Sequence, residues 1–433
     1  MRYLTVMGEK KKVPKFPHHK DYVYRCQRFF EAKTIFSFAS IANFRIIKEA
    51  YRGFKYQCAV PRDILIDPTS ACNINCHGCW AGDYDNHKHL SYEKLDEVIS
   101  EAKKLGTMDI LMTGGEPLLR KNDIVKLAAK HRQLFFGVFT NGILVDEELA
   151  DQMVQLENLN MFVSIEGFRE DTDFRRGEGS FDKAIRAMRL LKAHDMGFGF
   201  SLCYHRKNYK TVTSDKFLDY LREQGAWFGW AFGYRPLGKN SDVSLCLNAE
   251  ERAYVRNRIN HYCERHDFTI IDLFNNGHKA YGCVGAGNGY IHINASGDVE
   301  PCAFCHYSDS NINHVSLTEA LRSPFFRAFR NAQPFSNNSL RPCPMMDVPD
   351  AIVKVVEENG ARSTHVSSPE SAAEFSNKVK EIAKEWEIYA KKEYQNLSPK
   401  ELRRYNFLLK YLALKRRLSG DAKRKNYKTN IFY

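Results

Sequence analysis

Six short apolar runs recur through the middle of the chain, and a stretch with helical spacing follows each of the first five. The runs are Ile64–Asp67, Ile110–Thr113, Val138–Thr140, Phe162–Glu166, Phe200–Tyr204 and Trp230–Tyr234. After Ser91, the residues Leu95, Val98, Ile99, Ala102 and Leu105 repeat at helical spacing, with Ser91 as N-cap and Gly106 as stop. After Ser180, the residues Phe181, Ile185, Met188 and Leu191 do the same, with Gly197 as the expected stop. Alternating strands and helices demand parallel strands, because parallel neighbours need a crossover between them. The expected fold class is therefore α/β, a partial (β/α)6 TIM-like barrel. Its functional groups are expected at the C-terminal ends of the strands.

The chain has 433 residues, room for such a barrel and further modules. Four parts are expected: an N-terminal extension over 1–58, the barrel over 59–240, a linker helix and cysteine-rich module over 241–350, and a helical extension over 351–433. No apolar run is long enough to span a bilayer, and the first residues lack the apolar centre of a secretion signal. Twelve cysteines without such a signal point to a reducing, cytoplasmic setting in which clustered thiols bind metal.

The net charge of +12 sits at the two ends. Residues 1–58 hold 13 Lys and Arg against 4 Asp and Glu, and residues 399–433 hold 11 against 2. Each end is thus +9 and the body is −6. The first residues, 1–25, read as irregular. Residues 26–56 read as a helix with aromatic and cationic faces, carrying Phe29, Phe36, Phe44 and Tyr51. Such a helix either lies on an anionic membrane surface or packs on the body. Residues 368–418 read as one or two helices with Glu374, Lys378, Glu381 and Lys384 on a solvated face, and Lys423–Tyr433 as a basic tail.

Directly after the first run stands Cys72-Asn-Ile-Asn-Cys76-His-Gly-Cys79-Trp80. Three thiols in this spacing supply three corners of an iron–sulfur cluster and leave one iron open. A zinc ion would want a fourth close ligand, and His77 would have to fold back to provide it. Further on, Gly114-Gly115-Glu116-Pro117 follows the second run, Thr140-Asn141-Gly142 ends the third, and Ser164-Ile165-Glu166-Gly167 ends the fourth. Each of these alone is ordinary turn chemistry; their order behind the cysteine loop is not.

With these motifs, residues 60–240 resemble the radical S-adenosylmethionine (SAM) superfamily. The resemblance implies that Cys72, Cys76 and Cys79 hold a [4Fe-4S] cluster. It implies that Gly114, Gly115, Glu116 and Pro117 hold the SAM amino group. Asn141 is carried over with the third strand end. Ser164 and Glu166 are placed at the ribose and carboxylate, and Arg176 near the carboxylate. Family members usually carry an aromatic residue just before the third cysteine. Here that position is Gly78, and Trp80 follows instead, either covering the adenine or packing on the cluster. The implied chemistry is reductive cleavage of SAM to a 5′-deoxyadenosyl radical that abstracts hydrogen, with a flavodoxin or ferredoxin as electron donor. No catalytic side chain beyond the cofactor ligands is assigned.

A second cysteine group comprises Cys283, Cys302, Cys305 and Cys343. The segment 290–300 between its first members reads as a β-hairpin around an Asn-x-x-Gly turn. This part resembles the start of the SPASM/Twitch extension, which implies one auxiliary [4Fe-4S] cluster on these four thiols; a structural zinc is the alternative. Cys26, Cys58, Cys203, Cys246 and Cys263 are scattered and read as small buried residues. The SPASM/Twitch resemblance implies a peptide or protein substrate. The basic aromatic ends suggest lipid chains at a membrane surface instead. A non-catalytic electron carrier or nucleic-acid-binding module has no use for a SAM amine site, so nucleic acid is not expected as a partner.

Overall fold

The computed structural model describes residues 3–6, 9–12, 49–82, 84, 87–238, 241–278 and 282–421. Near the N-terminus, β1 (Tyr3–Val6) and β2 (Glu9–Lys12) pair as an antiparallel hairpin, in a stretch expected to be irregular. The main sheet begins with β3 (Asp63–Ile66), β4 (Asp109–Met112), β5 (Phe135–Thr140) and β6 (Leu159–Ser164). It continues through β7 (Phe198–Tyr204), β8 (Ala226–Gly233), β9 (Thr269–Ile271), β10 (Tyr290–Ile293) and β11 (Val299–Glu300). These nine strands lie in the order β11-β10-β3-β4-β5-β6-β7-β8-β9. All neighbours are parallel except the β10–β11 hairpin.

The six expected strands are β3 to β8, each starting earlier than the apolar runs suggested. Asp63 and Asp109 open two of them and are buried, with Arg62 bonded to Asp63. Three strands, β9, β10 and β11, were not expected in this sheet. β9 falls where a linker was read. β10, the first strand of the expected hairpin, pairs with β3 in the register His292↔Leu65 and Ile293↔Ile66. The cysteine-rich segment is therefore built into the edge of the barrel sheet.

The helices obey their local signals with one exception. Ser91 Oγ accepts from Lys94 N at 3.1 Å, and Gly106 stops that helix with φ of 105°. The helix Ser180–Ala193 starts at Ser180 itself, capped by Gly179 with φ of 74°, and ends before Gly197. Gly177 and Gly179, on either side of Glu178, both have positive φ and turn the chain just before this helix.

Apolar residues pack on both faces of the sheet. Leu65, Leu111, Phe162, Phe228, Trp230 and Ile271 fill the interior of the curved sheet. Gly137 and Gly199 make room for them: an added Cβ would lie 2.6 Å from the Phe162 ring and 2.9 Å from that of Phe228.

The C-terminal extension forms the helices Ala372–Gln395 and Pro399–Leu418. The first packs through Trp386, whose Nε1 donates to Leu340 O at 2.9 Å. Glu374, Glu381 and Lys384 do face solvent, and Lys378 pairs with Glu370. The basic end is only partly a solvated surface. Lys415 and Arg416 are buried, donating to Asn288 O at 3.1 Å and Arg330 O at 3.1 Å. Arg330 is itself fully buried against Asp421 at 2.6 Å. Residues 49–56 are helical and lie against this end, with Tyr411 Oη donating to Glu49. Arg52 and Tyr56 bond to Gly106 O and Lys104 O. This stretch packs on the body, while Tyr51 and Phe54 remain exposed. Phe29, Phe36, Phe44, Cys26 and Lys423–Tyr433 lie outside the described residues. Among the described residues, no helix is long and apolar enough to cross a membrane.

Candidate SAM and iron–sulfur sites

The first cysteine loop leaves the C-terminal end of β3. Cys72 is exposed, and Cys76 and Cys79 are half-buried. Two features lock the loop to its surroundings. His77 N donates to Arg175 O at 2.7 Å, tying the loop to the helix Arg169–Arg176. Gly115 N and Glu116 N donate to Thr69 O at 3.0 Å and Ala71 O at 2.8 Å, tying it to the turn after β4. An added Cβ on Gly115 would lie 2.0 Å from Ala71 O, so only glycine permits this approach. Gly114 has φ of 109°, and a Cβ there would lie 2.5 Å from Thr69 O.

Glu116 is nearly inaccessible and joins three strand ends. Its carboxylate accepts from Leu118 N at 3.0 Å, Thr140 Oγ1 at 2.8 Å and Asn141 N at 2.9 Å. Burial pushes its pKa up, and these donors oppose the rise. Pro117 opens the short helix that Glu116 caps. The Asn141 side chain reaches Asn73 Oδ1 in the cysteine loop at 2.6 Å. Four of the expected cofactor residues thus sit against the loop.

Ser164 and Glu166 both bond to protein groups. Ser164 Oγ lies 2.9 Å from Ser201 Oγ at the next strand end. Glu166 is fully buried and turned to protein groups: Arg175 at 2.7 Å, Arg176 at 2.6 Å and Cys203 N at 2.7 Å. Burial alone would raise its pKa, but Arg175 and Arg176 hold it down at about 2. Glu166 therefore orients an arginine pair. The pair lies beside the loop: burial and Cys76 raise the Cys79 thiol, and Arg175 and Arg176 pull it down. Arg175 was not singled out in the sequence, although the Arg-Arg doublet is visible there.

Gly78 has φ of 62°, and a Cβ there would strike the Tyr234 ring at 2.7 Å. That ring excludes the aromatic side chain that the resemblance leads one to expect here. Trp80 packs the other way, against His292 at 5.5 Å, Phe304 at 6.0 Å and His306 at 5.9 Å between ring centres. All three belong to the second cysteine segment.

In that segment Cys302 and Cys305 face each other across a tight turn, with Cys305 N donating to Cys302 O at 2.9 Å. Cys305 is fully buried. Cys343 N donates to Asp347 Oδ2 at 2.9 Å, and Arg252 pairs with that carboxylate at 2.5 Å. Gln333 Nε2 donates to Cys283 O at 3.1 Å. Burial pushes Cys302 up to about 12, and Cys343 adds to the rise. Burial likewise raises Cys283 and Cys305, and each feels both Cys302 and Cys343. Of the four expected thiols, Cys302 and Cys305 share one turn. A cation, Arg235, lies 4.0 Å over the Phe304 ring beside them.

A buried polar chain, absent from the sequence reading, joins the two segments. Asp67, His292 and Glu300 are each fully buried. His292 Nε2 lies 3.0 Å from Asp67 Oδ1, and its Nδ1 lies 2.6 Å from Glu300 Oε2. Tyr84 Oη and Thr364 Oγ1 donate to Glu300 at 3.0 and 2.5 Å. Burial would lower the His292 pKa, but Asp67 and Glu300 raise it to about 10, so the ring is an imidazolium near neutrality. Between the two cysteine segments runs an arc of half-buried rings. Phe139 and Phe232 lie 6.0 Å apart, Phe232 and Phe304 6.0 Å, and Phe304 and Trp80 6.0 Å.

The donor chemistry of both groups fits iron–sulfur clusters. All described cysteines are free thiols, and the glycine turn closes on the backbone of the first loop. Among the described residues, no three His, Cys, Asp or Glu side chains converge as ligands of a single metal ion do. Clusters instead spread their thiolates over separate irons.

Comparison with known proteins agrees with this chemistry. Residues 66–217 match the radical SAM superfamily, and residues 283–345 match SPASM, an iron–sulfur cluster-binding domain. The chain carries a radical SAM domain followed by a SPASM domain, and iron–sulfur clusters and SAM are the cofactors that these domains bind. It is similar to the Fe-coproporphyrin III synthase of Methanosarcina barkeri (strain Fusaro / DSM 804). The two are 31% identical over 166 residues, covering 37% of this chain and 41% of that protein, so the chain spans under half of it. The AdoMet-dependent heme synthase of the same organism is 24% identical over 304 residues, 64% of this chain and 84% of that protein. The PqqA peptide cyclase of Granulibacter bethesdensis (strain ATCC BAA-1260 / CGDNIH1) is 24% identical over 263 residues, 56% of this chain and 67% of that protein.

Proposed function

We propose that this enzyme cleaves SAM at a cluster held by Cys72, Cys76 and Cys79 and abstracts hydrogen from a peptide substrate. When bound, the reduced cluster supplies one electron to the SAM sulfonium, which opens the C5′–S bond to methionine and a 5′-deoxyadenosyl radical. The observation that carries this reading is the interlocked rim formed by the cysteine loop, the Gly114–Pro117 turn and Asn141.

Within that rim, Glu116 uses three of about four carboxylate acceptor positions and keeps one for the SAM ammonium. Ser164 and Asn141 line the path toward the ribose. Arg176, oriented by Glu166, faces the SAM carboxylate and offsets the negative charge of the loop thiolates. Cys283, Cys302, Cys305 and Cys343 hold one auxiliary [4Fe-4S] cluster. The ring arc of Phe139, Phe232, Phe304 and Trp80 walls the space between the two sites and keeps water from the radical.

The peptide assignment draws on the SPASM domain and on the similarity to a peptide cyclase. A tetrapyrrole is a second reading, favoured by the two Methanosarcina relatives and by the aromatic wall. Deuterium transfer separates the two. Peptide and tetrapyrrole fractions from cells grown in deuterated medium would be presented to the reduced enzyme with unlabelled SAM. Deuterated 5′-deoxyadenosine from the peptide fraction supports the proposal; label from the tetrapyrrole fraction alone overturns the peptide assignment.

A further inference from the structure

We infer that His292 is a positioning residue that couples the auxiliary module to the SAM-binding cysteine loop, so that each site's geometry depends on the other. The inference rests on the proposed role of Cys72, Cys76 and Cys79, and it adds a dependence that neither domain match contains.

The path is short and has no gap. Asp67 is the first residue after β3 and begins the cysteine loop. Glu300 ends β11 and stands two residues before Cys302. His292 bonds to both carboxylates, one through each ring nitrogen. Backbone pairing reinforces the link, because Asp67 N donates to Ile293 O at 2.9 Å. Tyr84, which follows the loop, closes a second route to the same Glu300. Trp80, next to Cys79, packs across the His292 ring.

The energetics favour a two-ended device over a simple packing residue. Two fully buried carboxylates that share one imidazole are held together by its charge. Loss of that group removes the counter-charge from both in a low-dielectric interior, and Glu300 keeps only neutral donors such as Tyr84 and Thr364. The two carboxylates are then no longer bridged, and the start of the loop moves with Asp67. Packing alone would need only an apolar ring at position 292.

A double-mutant cycle on the full-length, anaerobically loaded protein tests this. SAM affinity and the change in the reduced cluster's electron paramagnetic resonance signal on SAM addition are measured in four proteins. These are the unaltered chain, Cys302→Ala with Cys343→Ala, His292→Phe, and all three changes together. The expected result is a loss of SAM affinity of about tenfold from either change alone and less than about twofold more when they are combined. Additive losses would overturn the coupling. If His292→Phe does not fold, His292→Gln serves; it keeps one hydrogen bond, and an intermediate loss that is again non-additive supports the inference. An unaltered chain that fails to bind SAM would sink the proposed function itself, a result distinct from an additive cycle.

Discussion

The two cysteine groups use the same ligand atom in opposite surroundings. The first lies on an open loop at the barrel rim, with Cys72 exposed and an arginine pair alongside. The second is enclosed by the β10–β11 hairpin, the Asp347–Arg252 pair and the ring of Phe304, with Cys305 fully buried. An open loop suits a site that must admit SAM to one iron. An enclosed site suits a cluster that exchanges nothing but electrons. The thiols themselves behave alike: burial lifts Cys72 and Cys79 as well as Cys283, Cys302 and Cys305, with arginines opposing the rise at Cys79 and Cys302.

The largest test of this contrast is iron content. The reconstituted protein is expected to carry about eight irons. Replacing Cys72, Cys76 and Cys79 by Ala is expected to remove about four of them and spare the enclosed site. Changing Cys283 and Cys302 should do the converse. Iron and sulfide analysis with Mössbauer spectra reads both, and loss of all iron in either variant would mean that the two groups do not load separately.

Next comes the arginine pair. Glu166→Gln leaves buried Arg175 without its carboxylate, an expected cost of about 3–5 kcal/mol. The pH dependence has a fixed sign. The folded pKa of Glu166, about 2, lies below the ordinary 4.5, so its contribution is complete above pH 4.5 and disappears as pH falls toward 2. That contribution is about 3 kcal/mol. Denaturant unfolding of the iron-free protein should show the acid limb flatten in the variant; equal acid sensitivity would contradict the depressed pKa.

A smaller effect is expected at Glu116. Glu116→Gln should weaken SAM binding about tenfold, the value of one charge-assisted bond, with the cluster spectrum retained. Unchanged affinity would leave Glu116 as a capping group only. The smallest effect concerns the surface. Arg403, Phe407, Lys410, Leu414 and Arg417 form an exposed stripe on the last helix. Flotation with anionic vesicles at low and high salt measures whether it holds a membrane. Each basic group adds about 1 kcal/mol where it touches the surface. Packing of residues 49–56 on the body predicts little or no flotation from that segment, and strong salt-sensitive flotation would revive the lipid reading.

Much of the barrel was legible because its strands are continuous apolar runs and its helices carry Ser caps and Gly stops. Strand starts were less so, since Asp63 and Asp109 look like loop residues until Arg62 and neighbouring strands cover them. β9 has three residues and no pattern to detect. The motif residues around the cysteine loop were readable from their order. The turn of Glu166 toward Arg175 was not, because side-chain direction past a strand end has no periodicity. The Asp67–His292–Glu300 chain was hidden for a different reason: it exists only because β10 pairs with β3, and that pairing joins residues more than two hundred positions apart.

Under the proposed function, SAM is cleaved at the open loop. The direct measurement is 5′-deoxyadenosine formed by the anaerobic, dithionite-reduced protein with SAM, compared with the Cys72, Cys76 and Cys79 triple Ala variant. The intact protein is expected to give 5′-deoxyadenosine and methionine in equal amounts, and the variant none above background. Continued cleavage by the triple variant, with its auxiliary cluster intact, would contradict the proposed function.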